Sequence, residues 1–119
     1  LSYRRDPAVR ARDAARLIEL YCAGNDLTDP RLTLDVAGGR TLPSTLIQAG
    51  GAEMLSADAA ALAEQLRTAG ARCDLQIWPD QVHVFQALPR LSPEAVPAMQ
   101  AIAEFVSGTL RDHTVDQAS

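Results

Sequence analysis

The sequence predicts an α/β fold in which helices cover a parallel β-sheet, and the centre of the chain is the most informative part. Apolar and β-branched residues over 44–49 end at two glycines and are typical of a buried strand. A helical repeat follows over 56–69, and residues 73–78 alternate apolar with polar side chains up to Pro79. A strand, a helix and a strand within about 35 residues form a βαβ unit, so we expect parallel strands with a right-handed crossover.

Residues 1–42 are predicted to form a helix and the loop that connects it to the first strand. Apolar residues recur at helical spacing over about 9–23, and Gly24 is a plausible end of that helix. The apolar stripe consists of Ala14, Leu17, Ile18 and Tyr21. The periodicity is lost over 26–42, where Pro30 marks a turn, so this segment is interpreted as a surface connection.

Two further helices are predicted beside the strands. Ser56 is expected to cap the central helix and Gly70 to end it, with a buried side formed by Ala59, Leu62, Ala63 and Leu66. The last helix is expected to start near Ser92, ahead of a proline at its first position, and to run to about Arg111. Pro97 removes an early helical hydrogen bond, so its regular part is expected to begin a few residues later. Its apolar stripe consists of Val96, Met99, Ala103, Val106 and Leu110. Residues 113–119 are expected to form a frayed tail.

Two strands are fewer than this kind of sheet requires. Parallel sheets have several strands with helices on both faces, whereas the segment 43–112 carries only two. The chain is 119 residues long and begins with Leu rather than Met. We therefore expect the end of a larger α/β domain, or a chain that docks onto a partner supplying the missing strands.

Composition excludes several classes of protein. Apolar residues make up 47% and charged residues 22% of the chain, which is ordinary for a soluble globular protein. The net charge of -4 argues against nucleic acid or an anionic membrane as a partner. No apolar run approaches the roughly 20 residues of a membrane-spanning helix. Cys22 and Cys73 are far apart and form no metal or redox motif, so reduced thiols in a cytoplasmic protein are expected.

Two ionisable residues follow the two predicted strands. Glu53 comes directly after the first strand, and His83 lies in the loop after the second. The carboxyl ends of neighbouring parallel strands emerge about 4.8 Å apart on one side of a sheet, so these side chains can meet there. A carboxylate bonded to one imidazole nitrogen fixes the tautomer and leaves the other nitrogen as a general base. The alternative is a histidine that only packs or caps the loop.

Two other acids compete with Glu53 for the contact with the histidine. Asp58 is expected inside the first turn of the central helix, where the helix dipole favours a carboxylate without any catalytic role. Asp80 is most simply a turn residue after Pro79. The residue pattern alone leaves the choice of acid open.

Two segments resemble one known family. The segment 42–55, LPSTLIQAGGAEML, with Asp58 following, resembles the acid-bearing segment of the hormone-sensitive-lipase-like branch of the α/β-hydrolase superfamily. The segment 78–86, WPDQVHVFQ, resembles the histidine loop of that family, and Arg5-Asp6-Pro7 matches its upstream segment. The resemblance covers about residues 5–110. It implies the C-terminal βαβ-plus-helix portion of an α/β-hydrolase fold, with an incomplete parallel sheet.

The resemblance implies a serine carboxylic-ester hydrolase of the esterase or lipase type that acts on a small ester without metal or organic cofactor. By position Glu53 is the acid and His83 the general base of the catalytic triad, although many members have Asp where this chain has Glu53. The G-x-S-x-G nucleophile and the H-G-G-G oxyanion loop of the family are not among the 119 residues. The family order of Ser, acid and His places them upstream of residue 1, so the chain alone is expected to be inactive.

A second hypothesis comes from a different class of protein. The chain is then a non-catalytic remnant or interaction module that pairs its open strand edge with another chain, for example as a homo-oligomer. Aromatic residues are too few for nucleic-acid stacking, so Trp78, Phe85 and Tyr21 are expected in the core or a pocket wall. Val84 and Phe85 lie next to His83, where they either line an acyl or alcohol pocket or pack the loop.

Overall fold

In the part of the chain that the structure describes, the fold consists of a two-stranded sheet and three helices. A computed structural model describes residues 6, 10–32, 35–36, 38–39 and 41–116. The helices are α1 (Ala11–Cys22), α2 (Ser56–Thr68) and α3 (Ala95–Asp116), and the strands are β1 (Thr45–Gly50) and β2 (Cys73–Trp78). Single 3-10 turns occur at Pro30–Leu32 and Phe85–Ala87. The predicted helix start at Val9, the residues Arg5 and Pro7, and the tail residues 117–119 lie outside the described residues.

The two strands are parallel neighbours, as the sequence predicts. Thr45 lies opposite Cys73, and Gly50 lies opposite Trp78 at the carboxyl end of the pair. Side chains alternate between the two faces of the sheet. One face packs on α2, where Ala63, Leu66 and Cys73 form a buried cluster. The other face meets α3 through the side chain of Gln48, whose Nε2 donates to the Ala98 carbonyl at 2.9 Å. The predicted α/β architecture, with helices on a parallel sheet, is confirmed.

The buried side of α2 is the one that the periodicity predicts, but its start differs. Ser56 is the first helical residue and makes no capping hydrogen bond, so the predicted cap is wrong. The preceding Leu55 already has helical dihedral angles, and a cap residue needs an extended backbone. The end is as expected, because Gly70 has a φ of +87° and the Ala71 N–H donates to the Leu66 carbonyl at 2.9 Å.

The regular part of α3 begins a few residues after Ser92, as the sequence predicts, but the helix ends later than expected. The Ser92 hydroxyl donates to Gln81 Oε1 at 2.6 Å instead of capping the helix, and regular structure begins at Ala95. At the other end the helix continues past Arg111 to Asp116. No glycine or proline interrupts residues 109–116, so nothing in the local sequence stops the helix there. The helix therefore includes residues 113–116, which the sequence assigns to the tail.

Two apolar helix faces are left uncovered by the described residues. On α1, Leu17, Ile18 and Tyr21 are 55–81% exposed. Of the two places expected for Tyr21, the core is therefore wrong, whereas its side chain does line a surface pocket. On α3 the predicted stripe also faces outward, because the helix meets the rest of the fold through the buried Ala95 and Ala98. The accessible surface is 9097 Å², against about 6,200 Å² for a compact monomer of 12.7 kDa.

Both cysteines are buried, and neither forms a disulfide. Cys73 belongs to the cluster under α2, and Cys22 ends α1. Within the described part of the chain, no helix combines the length and the apolarity needed to cross a membrane.

The surface turn after α1 allows a prediction about the pKa of Asp29. Arg31 donates to both carboxylate oxygens of Asp29, at 2.7 and 2.9 Å from its side chain and 2.9 Å from its backbone N–H. The side-chain bonds first, and the backbone bond second, lower the pKa of Asp29. A lowered carboxyl pKa stabilises the turn above the ordinary pKa, and this stabilisation is lost as the pH falls through the folded value. We expect Arg31→Gln to raise the pKa of Asp29 in an NMR titration.

The neighbouring Asp26 is the internal control for this titration. Its pKa is lowered by the backbone N–H of Thr28 first and by the Thr28 side chain second, with no contribution from Arg31. The pKa of Asp26 should therefore stay where it is in Arg31→Gln. Equal movement of both carboxyl groups would show that the substitution disturbs the whole turn.

Candidate active site

Glu53 and His83 meet at the carboxyl edge of the sheet. Glu53 lies three residues beyond the end of β1 and His83 five residues beyond the end of β2. Glu53 Oε2 and His83 Nδ1 are 2.7 Å apart. The Glu53 side chain is only 7% exposed, whereas the imidazole is 43% exposed. The contact therefore joins a buried carboxylate to a ring that remains accessible from outside.

The second oxygen of Glu53 is held by the strand from which it emerges. Residues 51–55 form a turn that folds back on β1, and the Gly50 N–H donates to Glu53 Oε1 at 3.1 Å. Each carboxylate oxygen thus has one partner on a different element. A buried carboxylate needs such partners to compensate for lost hydration, and two of them also fix the plane of the group.

A close backbone approach joins the acid loop to the histidine loop. The Gly51 N–H donates to the Trp78 carbonyl at 2.7 Å, and the Ala52 N–H donates to the Gln81 carbonyl at 3.0 Å. A Cβ added at Gly50 would collide with the Gln81 carbonyl group and lie 2.8 Å from the Val82 carbonyl oxygen. Gly50 is therefore required here because any side chain would push the two loops apart.

The role of Gly50 goes beyond what the sequence analysis assigned to it. The polarity pattern of the sequence marks the two glycines after the first strand only as its end. A glycine at the end of a buried strand is also a known sign of close backbone approach, and that signal was present in the sequence. The sequence around Gly50 does not identify the backbone that approaches it, because Gln81 is 31 positions further along the chain.

The histidine loop is anchored by an aromatic contact. The Phe85 side chain is 1% exposed, and its ring centroid lies 5.7 Å from that of Trp78. The residue between Phe85 and His83 is Val84, which has a φ of +56° and is 57% exposed. A β-branched residue with positive φ is a genuine conformational outlier, which surrounding contacts must maintain. Phe85 thus packs the loop, and only Val84 stands exposed beside the histidine.

Of the three candidate acids, the structure brings Glu53 to the histidine. Asp58 lies in the first turn of α2 and is exposed, as the sequence predicts. Asp80 is exposed in the turn after Pro79 with a φ of +57°, a conformation that Asp tolerates better than most residues. A carboxylate outside this set also reaches the acid loop, since Asp6 Oδ2 accepts a hydrogen bond from the Met54 N–H at 2.8 Å. Asp6 and Pro7 together are typical of a turn or a helix start, and the sequence pattern does not predict this contact with the acid loop.

The arrangement of Glu53 and His83 is suited to proton transfer. With Nδ1 committed to the carboxylate, the proton on the neutral ring is held at Nδ1, and Nε2 carries the free lone pair. That nitrogen can take a proton from a hydroxyl group placed next to it. Among the described residues, no group of three or more His, Cys, Asp or Glu side chains is arranged to hold a metal ion.

Comparison with known proteins places this chain in a family. Residues 1–87 match the α/β hydrolase fold family, and the chain belongs to that family. Its solved neighbours define the branch as the hormone-sensitive-lipase-like one. An esterase from the bacterial hormone-sensitive lipase family superposes with a TM-score of 0.81 at 31% identity, over 91% of this chain and 36% of that protein. A hormone-sensitive lipase from a metagenome library gives 0.81 at 32% identity, over 91% and 37%.

The curated relatives, like the solved neighbours, are named as esterases or related hydrolases. The chain is similar to the esterase LipU of Mycobacterium tuberculosis, with 40% identity over 65 residues, which is 55% of this chain and 22% of LipU. It is 38% identical over 78 residues to the carboxylesterase/phospholipase LipF of the same organism, 66% of this chain and 20% of LipF. An acetyl-hydrolase of Streptomyces hygroscopicus is 35% identical over 100 residues, 79% of this chain and 31% of that protein. The chain thus spans between a fifth and a third of these relatives.

Proposed function

We propose that this chain supplies the acid and the general base of a serine carboxylic-ester hydrolase of the esterase or lipase type. The acid is Glu53 and the base is His83. The observation that carries the proposal is their 2.7 Å contact at the carboxyl edge of a parallel sheet, with the carboxylate buried and the ring accessible. The esterase relatives support the reaction class, and the substrate class is a small carboxylic ester.

The chemistry follows from the two ends of the imidazole. Nε2 removes the proton from a serine hydroxyl as the serine oxygen bonds to the ester carbonyl carbon, and Glu53 stabilises the imidazolium that forms. The same proton then passes from Nε2 to the departing alcohol, which leaves an acyl-serine. In the second half a water molecule takes the place of the serine, and the acid is released as the serine regains its proton.

The nucleophile has to come from sequence other than these 119 residues. None of the six serines lies in a G-x-S-x-G segment. Two features of the structure support completion by further protein. The buried Trp78 Nε1 has no hydrogen-bond partner among the described residues, and the outward faces of α1 and α3 are apolar. We infer that the remainder of a hydrolase domain covers them. The buried, unpaired thiols support a cytoplasmic location.

A graft experiment tests the proposed function. We expect the chain alone not to hydrolyse p-nitrophenyl butyrate, because it lacks both a nucleophile and oxyanion donors. Residues 6–116 are then placed in the bacterial hormone-sensitive-lipase-family esterase in exchange for the segment on which they superpose. This chimera keeps the nucleophile of the host protein. It should hydrolyse the ester, since the grafted residues supply the acid and the base.

Two outcomes would contradict the proposal. One is a folded chimera, with a cooperative thermal transition, that has no activity above the host lacking its C-terminal segment. The other is hydrolysis by the purified 119-residue chain that disappears in His83→Ala, because a nucleophile within the chain would then be at work.

The open sheet edge and the uncovered helix faces favour a second candidate function. In this case the chain is a non-catalytic module whose strand edge pairs with another chain, including a second copy of itself. Size-exclusion chromatography with hydrogen exchange distinguishes the two. A homo-oligomer whose β1 and β2 amides are strongly protected along the outer edges supports the module. A monomer with unprotected edges supports the incomplete hydrolase domain.

A further inference from the structure

Three glutamines form a chain of hydrogen bonds beneath the histidine loop, on the face of the sheet that carries α3. Gln48 lies in the middle of β1, and Gln76 is its register partner on β2. Gln48 Nε2 donates to Gln76 Oε1 at 2.8 Å and to the Ala98 carbonyl at 2.9 Å. Gln86, three residues after His83, donates from its Nε2 to Gln48 Oε1 at 3.1 Å. All three glutamines are half-buried.

Gln48 is the centre of this network, because its amide makes a bond to each of three other elements. Its two N–H groups donate to β2 and to α3, and its oxygen accepts a hydrogen bond from the 3-10 turn that follows the histidine. A primary amide is the neutral side-chain group that offers two donors and an acceptor in one plane. A polar group at a half-buried strand position costs free energy unless it is hydrogen-bonded. The Gln48 amide is therefore favourable at this position only because its donors and its acceptor are all paired.

The network connects both partners of the candidate pair to a single strand. Glu53 is tied to β1 by the Gly50 N–H, two residues beyond Gln48. His83 is tied to β1 through Gln86, which bonds to Gln48 from the 3-10 turn. Between His83 and Gln86 the chain passes through the strained Val84 and the buried Phe85, and it has little freedom to adjust. The Gln48–Gln86 bond therefore links the histidine loop to the middle of β1, in addition to the bond from the Ala52 N–H to the Gln81 carbonyl near the strand end.

We propose that Gln48 is a positioning residue for His83. It holds the histidine loop, through Gln86, at the height where Nδ1 meets the carboxylate of Glu53. The catalytic meaning of this role rests on the proposed function. The positioning itself is a property of this chain and is measurable without any enzymatic activity.

The Nδ1-bound proton of His83 is the readout, because the tautomer of an imidazole follows the hydrogen bonds of its two nitrogens. The ¹⁵N shifts of Nδ1 and Nε2 are recorded on the ¹⁵N-labelled 119-residue chain under alkaline conditions, where imidazoles are neutral. The chain has two histidines, so every sample also carries His113→Gln. The remaining ring signals then belong to His83.

Four substitutions separate positioning from general stability. We expect Gln48→Leu and Gln86→Leu each to reduce the Nδ1–H tautomer fraction by about half and to remove the low-field Nδ1 proton signal. Gln76→Leu leaves the bond between Gln48 and Gln86 in place and should keep both features. Gln65→Leu changes an exposed residue of α2 and is the matched control. Gln86→Leu keeps the inference testable if Gln48→Leu does not fold, because it removes the same bond from the loop side.

An unchanged tautomer fraction in folded Gln86→Leu would overturn the positioning role, whatever activity the graft shows. An inactive graft together with a tautomer that responds to Gln86→Leu would overturn the proposed function and leave the positioning role in place. Equal loss of the signal in Gln76→Leu would also count against the inference. The network would then act only through the stability of the sheet.

Discussion

In the active graft, His83→Ala should lower kcat for p-nitrophenyl butyrate by about a million-fold, which is typical for loss of a triad base. Alanine has no group to take the serine proton, and the oxyanion donors of the host protein remain. The activity that survives should therefore come from binding and oxyanion stabilisation alone. KM should change little, because the imidazole contributes mainly in the transition state. Steady-state kinetics on purified variants measure both constants.

Replacing the buried acid Glu53 tests the other member of the pair. Glu53→Gln keeps the shape of the side chain and an oxygen for the Gly50 N–H, but its amide can turn a donor toward Nδ1. The ring would then adopt the other tautomer, with its proton on Nε2, and a loss in kcat of about 10,000-fold is expected. Asp58→Asn is the matched control, since it removes an exposed carboxylate five positions away. A comparable loss in Asp58→Asn, with Glu53→Gln unaffected, would assign the acid to Asp58.

Gly50→Ala is expected to destabilise the chain by about 3 kcal/mol, the upper part of the range for overpacking a closely packed site. The new methyl group would collide with the Gln81 carbonyl and lie 2.8 Å from the Val82 carbonyl oxygen. Both are backbone groups of the histidine loop, so neither can avoid the methyl by a change of rotamer. The loop must move away from β1, and the contact between Glu53 and His83 opens with it. Urea unfolding gives the free energy, and the His83 Nδ1 proton signal reports the contact.

Gly108→Ala is the matched control for this substitution. Gly108 lies within α3, and a Cβ there would meet nothing within 4 Å. Alanine in a helix interior should instead increase stability by about 0.5–1 kcal/mol. Opposite signs for the two glycine substitutions are therefore expected. A Gly50→Ala chain as stable as the parent, with its Nδ1 signal intact, would show that the two loops tolerate separation.

The central βαβ unit was predictable because its signals are local. Residues 73–78 alternate in polarity, the apolar positions of α2 have helical spacing, and Gly70 ends the helix where a positive φ is needed. The meeting of Glu53 and His83 was predictable in a different way. It follows from topology, because parallel neighbouring strands bring their carboxyl ends to one edge. Neither inference required knowledge of side-chain packing.

Other features of the fold and the site depend on contacts between residues far apart in the sequence, which a local pattern does not reveal. The apolar stripe of α3 predicts a buried face, but the helix meets the fold through the small Ala95 and Ala98, which allow close approach. Gly50 and Gln48 each contact residues that lie at least 28 positions away. A glutamine in the middle of an apolar strand is a visible anomaly in the sequence, but its three partners become known only when the chain is folded.

The position of Trp78 allows this site to be followed by tryptophan fluorescence. The chain has a single tryptophan, at the last position of β2 and in ring contact with Phe85 of the histidine loop. Its emission therefore comes from one known location, and it is sensitive to the same displacement that would separate His83 from Glu53. Fluorescence quenching and stopped-flow mixing can follow the docking of that loop without an added label. In an assembled hydrolase, the same indole would also report when the rest of the protein covers this end of the sheet.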